Sequence, residues 1–187
     1  MAGHVIANEL IATAKADDVL DRIVREHARL VYRIAYSLLH NHYDAEDVTQ
    51  ETFVRVLRSR DKLNTLRDPK SWLARIAWRI AIDRIRKKAD AQFDDVNADI
   101  EQLRDTSAVA DEAVLANEMK RLLSRLIGGL PSQLRDVITL SAVGELSPAQ
   151  IGNVLGIPEA AVRPRLFRAR GILNQMLASL LENKNGT

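Results

Sequence analysis

Ser147-Pro148-Ala149-Gln150-Ile151-Gly152-Asn153-Val154-Leu155-Gly156-Ile157-Pro158-Glu159-Ala160-Ala161-Val162-Arg163-Pro164-Arg165-Leu166-Phe167-Arg168-Ala169-Arg170 is the stretch that decides the fold. Ser147 with Gln150 three residues later is a capping box, and Pro148 between them takes the first helical position, where its missing N–H costs nothing. The short helix that follows, Pro148 to Leu155, stops at Gly156, the residue type that tolerates a left-handed end. Ile157-Pro158-Glu159 opens a last, longer helix with Val162, Leu166, Ala169 and Leu173 on one face. A capped helix, a Gly-containing turn and an arginine-rich helix make a helix-turn-helix.

Arg163, Arg165, Arg168 and Arg170 surround Phe167 on the face opposite that apolar stripe. In a helix-turn-helix the second helix enters the major groove, where Arg pairs with guanine O6 and N7 and Phe meets a thymine methyl. An arginine-rich helix alone also fits a solvated amphipathic surface. The capped helix and turn directly before it weigh towards DNA.

Working back, Asp111 starts a helix with Val114, Leu115, Met119, Leu122, Leu123 and Leu126 that Gly128-Gly129 stops, and Pro131 opens a short one with Leu134, Val137, Ile138 and Ser141 inward, ended by Gly144. Residues 89–110 are acidic, Ala-rich and without clear periodicity, long for a loop inside one domain. Asp68-Pro69 is an N-cap followed by Pro at N1, and starts a helix to about Lys88 with Leu73, Ile76, Ala77 and Ile80 inward. Trp72 and Trp78 share it with Arg75, Arg79 and Arg86, and rings beside arginines suit unstacked single-stranded bases, though at least one Trp is expected in the core. The loop Leu63 to Asp68 is placed to form a pocket beside this helix.

Asp44 is read as the N-cap of another helix, with Asp47 at N3 and an apolar stripe of Val48, Thr52 and Val56, Phe53 and Leu57 beside it. From Asp17 to about Leu39 apolar residues at helical spacing predict a long first helix, preceded by a loose stretch over residues 1–16. The tail from Glu182 to Thr187 is expected to fray.

Composition agrees with an all-α chain of two small helical domains, 17–88 and 113–181, joined by an acidic linker over 89–112. Of 187 residues, 47% are hydrophobic, only 8 are Gly and 5 Pro, too few turn-formers for a sandwich or barrel. The absence of Cys excludes a disulfide scaffold, a thiolate zinc site and a Cys nucleophile. No apolar run approaches the length of a membrane span, and no secretory signal is visible at the N-terminus. The net charge of +2 divides into +5 over residues 1–88, −8 over 89–118 and +5 over 119–187, two basic blocks on an acidic tether. The tether's charge is also explained by solvation alone. His40 and His42 lack a third ligand nearby, no phosphate loop is present, and the carboxylates Asp44, Glu46, Asp47 and Glu51 have no partner base or nucleophile. No residue set supports an enzyme, a cofactor or a small-molecule substrate.

Taken together the chain resembles a bacterial sigma factor of the extracytoplasmic-function type, within the sigma-70 family. Asp44-Ala45-Glu46-Asp47-Val48-Thr49-Gln50-Glu51-Thr52-Phe53-Val54-Arg55-Val56 looks like the region 2 helix that docks on the polymerase clamp. Arg67-Asp68-Pro69-Lys70-Ser71-Trp72-Leu73-Ala74-Arg75-Ile76-Ala77, then Ile82-Asp83 and Arg86-Lys87-Lys88, looks like the segment that opens and reads the −10 element. Leu130-Pro131, Leu134-Arg135, Val137 and Leu140, then Leu146-Ser147 through Ala169-Arg170, look like region 4, which reads the −35 element. The resemblance spans roughly residues 20–88 and 115–175, and its region 2 part is the specific one.

The resemblance implies core RNA polymerase as partner through Asp44, Asp47, Gln50, Glu51, Phe53 and Arg55. It implies single-stranded −10 DNA at Asn64, Arg67, Lys70, Trp72, Arg75, Arg79 and Arg86, with a flipped base in the Leu63–Asp68 loop. It implies −35 duplex at Arg163, Pro164, Phe167, Arg168 and Arg170, and an acidic linker threading towards the polymerase's nucleic-acid path. An anti-sigma factor, often membrane-anchored in the family, is a further implied partner, with the factor cytoplasmic or held at the inner membrane and not inserted in it. The family usually has Gly-Thr-Val and then Lys/Arg-Ser where Ala160-Ala161-Val162-Arg163-Pro164 stands here. Pro164, about seven residues into its helix, is expected to kink it. Gly152, in place of the usual Ala, is expected to weaken the shorter helix by about 0.5–1 kcal/mol. Rival readings are a sigma-like decoy that binds only an anti-sigma protein, and a helix-turn-helix repressor.

Overall fold

The computed structural model describes residues 2–59, 63, 65–94 and 111–185. Seven helices and no strand occur among the described residues: α1 Ala2–Leu39, α2 His42–Arg58, α3 Pro69–Asp94, α4 Asp111–Gly128, α5 Ser132–Val143, α6 Pro148–Leu155 and α7 Glu159–Asn185. The chain divides into two compact units, residues 1–96 and 97–187. The acidic linker falls largely on residues 95–110, outside the described ones.

In the first unit α1, α2 and α3 pack on one another. Val31, Ile34 and Ala35 of α1, Ala45, Val48 and Val56 of α2, and Leu73, Ala77, Ile80 and Ala81 of α3 are buried, the apolar stripe of each helix meeting the others. Thr52 is fully buried in that stripe because its hydroxyl donates to the Val48 carbonyl at 2.7 Å, which leaves only its methyl to pack. Asp68 caps α3 as its sequence predicts, its carboxylate accepting from the Ser71 N–H at 3.0 Å.

Four boundaries differ from expectation. The α1 backbone is already helical from Ala2, not from Asp17, since residues 5–16 hold no Gly or Pro and are rich in Ala, Ile and Leu. The cap of α2 is Asn41, whose side chain accepts from the Asp44 N–H at 3.0 Å. Asp44 therefore sits inside the first turn, and the break from α1 shrinks to His40, at φ 50°, and Asn41. At its far end α3 runs on to Asp94, past Lys88, through Ala-containing sequence with no breaker. Likewise α7 continues through the expected frayed tail to Asn185, stopping short of Gly186.

The second unit is built on α5, α6 and α7, with α4 against α5 and α7. Leu130, Val137, Leu140, Ile151, Val162 and Ala169 are buried to 1% or less. Ser141, expected inward, is only half-buried, and Thr139 and Leu140 take the inner positions. Both halves of the capping box form: the Gln150 N–H donates to Ser147 Oγ at 3.3 Å, and the Ser147 N–H to Gln150 Oε1 at 3.0 Å. Gly156 takes the left-handed conformation, φ 70°, and its N–H and that of Ile157 both bond the Gly152 carbonyl, at 2.8 and 3.0 Å.

One expectation about this motif is corrected. Gly152 is not a weak helix residue tolerated for lack of Ala. A Cβ there would lie 2.7 Å from the Ile157 carbonyl oxygen, so the turn folds back over α6 only because no side chain stands in the way. Pro164 lies inside α7, which runs through it from Glu159 to Asn185. Val162 and Leu166, before and after the proline, are both buried, so the inner face keeps its register across it.

Candidate nucleic-acid interface

The outer face of α7 follows from its inner one. With Val162, Leu166 and Ala169 buried, the opposite side carries Arg163, Pro164, Phe167, Arg168 and Arg170, all exposed. Arg163 is held along the helix by Glu159, its Nη2 2.6 Å and its Nε 3.2 Å from Oε1. Arg168 and Arg170 form no ion pair among the described residues. Arg165 turns towards α5, where it faces the half-buried Asp136. Burial pushes the Asp136 carboxyl above its ordinary value, against the opposing pull of Arg135 and Arg165. An open groove runs from the start of α5 (Pro131, Ser132, Gln133) to Pro164, Arg165 and Arg168.

In the first unit, Trp72, Arg75, Arg79 and Arg86 recur at helical spacing on one stripe of α3, opposite the buried Ala74, Ala77 and Ala81. Trp78 is the core tryptophan, 6% exposed, while Trp72 is half-buried at the surface. The Nε of Arg75 is buried with no hydrogen-bond partner among the described residues. Lys70 leaves this stripe for the α1 side, where its charge, after burial itself, helps hold the His27 pKa below the usual value. Arg67 is exposed on the loop, Leu63 is a buried anchor, and Asn64 lies outside the described residues.

The proposed docking helix has its own outward stripe. Tyr43, Asp47, Gln50, Val54 and Leu57 are exposed, opposite Ala45, Val48, Thr52 and Val56. Leu57 was expected beside the buried stripe and points outward instead, 47% exposed. Phe53 is half-buried at the edge, and Glu51 holds Arg55 at 2.6 Å. Asp44 is drawn away from the stripe: its carboxylate takes Lys88 at 2.5 Å and Arg84 at 3.6 Å, and Arg84 also bonds Asp47 at 3.2 Å. These cross-ties between the start of α2 and the end of α3 were missed, as were the exposed apolars Tyr43 and Val54. The apolars are legible, since they sit half a turn from the buried stripe. The cross-ties are not, because the partners are 37 and 44 residues apart.

Residues 23–90 match the family model for sigma-70 region 2, and residues 120–173 the model for sigma-70 region 4. The chain is 35% identical over 170 residues to the extracytoplasmic-function RNA polymerase sigma factor SigW of Bacillus subtilis, covering 87% of this chain and 91% of that one. Among solved structures it resembles CnrH, determined in complex with the cytosolic domain of CnrY, with a TM-score of 0.61 and 26% identity over 90% of this chain and 96% of that one. The fold also matches the sigma factor RpoE of Bartonella quintana, solved with the anti-sigma factor NepR: TM-score 0.69 at 21% identity, over 84% of this chain and 96% of that one.

Proposed function

The chain belongs to the extracytoplasmic-function sigma factors of the sigma-70 family and is an alternative sigma factor directing transcription, and from that premise we propose how its surfaces divide the work. The outward stripe of α2, with Asp47, Gln50, Phe53 and the Glu51–Arg55 pair, docks on core RNA polymerase. The second unit sets α7 in the major groove of the −35 duplex. The first unit holds the non-template −10 strand along Trp72, Arg75, Arg79 and Arg86, with Arg67 and Asn64 on the loop where a flipped base is taken. Flipping a base costs stacking energy, which ring and backbone contacts offset. Asp44 serves the fold of the docking helix and does not itself meet the polymerase.

The observation that carries this reading is one arginine-bearing helical face in each of two separate units, one behind a capped helix-turn-helix and one beside an outward Trp. A single duplex reader needs only the first. The two units together suit a protein that grips duplex upstream and single strand downstream, as initiation requires. An anti-sigma factor that covers these faces is the proposed negative regulator, as the sigma factor RpoE, of the same fold, was solved with the anti-sigma factor NepR. Among the described residues no helix is long and apolar enough to cross a membrane, so membrane holding, where it occurs, falls to that regulator.

Run-off transcription with purified core polymerase tests the proposal. Promoter-dependent transcripts on addition of the factor, and their loss with Asp47→Arg/Glu51→Arg, are expected. Tight duplex binding by the free protein as a dimer, with no effect of the core enzyme, would replace it with the repressor reading.

A further inference from the structure

Lys88, Asp44, Arg84 and Asp47 form one chain of alternating charge between the second half of α3 and the start of α2. Lys88 Nζ lies 2.5 Å from Asp44 Oδ2, and Arg84 Nη1 lies 3.6 Å from Asp44 Oδ1. The same Nη1 donates to Asp47 Oδ2 at 3.2 Å. The inner links are shielded, with the Asp44 and Arg84 side chains 20% and 28% exposed, while Asp47 stands 61% exposed on the outward stripe of α2. Asp44 divides its two oxygens between two cations. Asp47 gives one oxygen to Arg84, and its Oδ1, which has no ion pair among the described residues, is left for whatever meets the stripe.

We propose that Arg84 is a positioning residue for core docking: from α3 it holds the Asp47 carboxylate in place, and keeps it hydrogen-bonded, when core RNA polymerase covers it. The inference rests on the docking role given to α2 above and adds to it a residue outside that helix.

A carboxylate on an exposed helix face turns among rotamers, and fixing it at an interface subtracts from the free energy of binding. A side chain held before the encounter loses less. Coverage also strips water from the carboxylate, and a charge taken out of water is tolerated only when it is paired and hydrogen-bonded. Asp47 Oδ2 brings its partner with it, so the polymerase has donors to supply to Oδ1 alone. Arg84 can serve in this way because it is itself braced by Asp44, which Lys88 holds in turn. The chain of four is neutral, so Asp47 acts as an aimed acceptor more than as a bare negative charge. An ion pair this exposed adds little to folding, so its loss is felt in docking before it is felt in stability. Arg84 faces α2, on the opposite side of α3 from Arg75, Arg79 and Arg86, so substituting it leaves the proposed strand-binding stripe in place.

The test titrates core polymerase with the labelled full chain. Arg84→Gln is expected to weaken binding about two- to tenfold, the worth of one side chain fixed in advance, with unchanged melting. Arg84→Lys should restore most of the affinity, because one nitrogen makes both contacts and an ammonium group can do the same. In an Asp47→Ala background Arg84→Gln should cost nothing further, since the group it holds is gone. A loss of the same size with and without Asp47 would mean that Arg84 only fastens α3 to α2, and overturns the inference. Tighter binding by Arg84→Gln, growing as salt is lowered, also overturns it and makes Arg84 a mask on the charge of Asp47. Unchanged binding by Arg84→Gln, with Asp47→Ala still weakened, overturns it and leaves Asp47 to dock unaided. If Asp47→Ala and Asp47→Arg/Glu51→Arg both bind core polymerase like the unsubstituted protein, the docking role of α2 falls and the inference falls with it.

Discussion

A methyl group on Gly152 would stand 2.7 Å from the carbonyl oxygen of Ile157 and 3.5 Å from the Glu159 backbone nitrogen. Helix propensity alone says that Gly152→Ala stabilises α6. Packing says the reverse, because the obstructing atom is backbone in the turn that aims α7. Gly152→Ala is expected to destabilise the second unit by about 1–3 kcal/mol, the cost of overpacking a close contact. Urea unfolding of the variant checks the sign, and a stabilised variant would mean that the turn yields freely.

Charge reversal on α2 should separate docking from folding. Asp47→Arg/Glu51→Arg is expected to abolish saturable binding to core polymerase while the thermal melt stays close to that of the unsubstituted protein, since ion pairs this exposed contribute about 0–1 kcal/mol. Asp44→Asn should leave core affinity within a few-fold and instead loosen the tie to Lys88 and Arg84. Equal loss of core binding in both variants would place Asp44 in the docking surface.

Trp72→Ala and Arg79→Ala should impair strand opening more than duplex binding. One base–aromatic stack is worth about 1–3 kcal/mol, so open-complex formation should fall roughly ten- to a hundredfold with Trp72→Ala. A template already unpaired across the −10 region should recover part of the loss, because opening is then provided. Permanganate reactivity of −10 thymines reads both.

Acid should act on the two units with opposite sign. Burial, helped by Lys70 and opposed by Glu26 and Asp68, holds the His27 pKa below 6.5, so the folded state binds that proton less readily than the unfolded chain. Its contribution is present above the ordinary His value and is lost as pH falls through it, and His27→Gln should flatten the melting temperature of the first unit from about pH 7.5 to 5.5. Burial raises Asp136 above 3.8, against the pull of Arg135 and Arg165. The favourable contribution of its protonated form is full below that value and is lost as pH rises through the raised one. Asp136→Asn should therefore stabilise the second unit near neutrality, with the gain fading towards about pH 4.

What the sequence made legible was local. Ser147 with Gln150, Asp68 before Pro69, and Gly156 after Leu155 each place a helix end through bonds spanning three or four residues, and all three stand where expected. Legibility failed where two local solutions compete or where the deciding partner is distant. Asn41 and Asp44 are both good caps, and the chain turns at His40 so that Asn41 takes the role. Nothing within α6 announces that Ile157 will fold back over Gly152. Of the arginines read around Phe167, Arg163, Arg168 and Arg170 share the outward face while Arg165 turns towards α5, and Lys70 leaves the α3 stripe because its place at the first turn puts it on the α1 side.

Lys88 and Arg84 already have their counter-charges on α2. A cation already paired within its own protein is less free to neutralise a phosphate and so to release the cations condensed on the strand. Of the basic residues along α3, therefore, Arg75, Arg79, Arg86 and Lys87, which form no ion pair among the described residues, should set how steeply −10 strand binding falls with added salt, at about 0.7 logarithmic units per phosphate neutralised on a single strand. The acidic start of the docking helix thus tunes, from the opposite side of the bundle, the ionic-strength range over which the promoter strand is held.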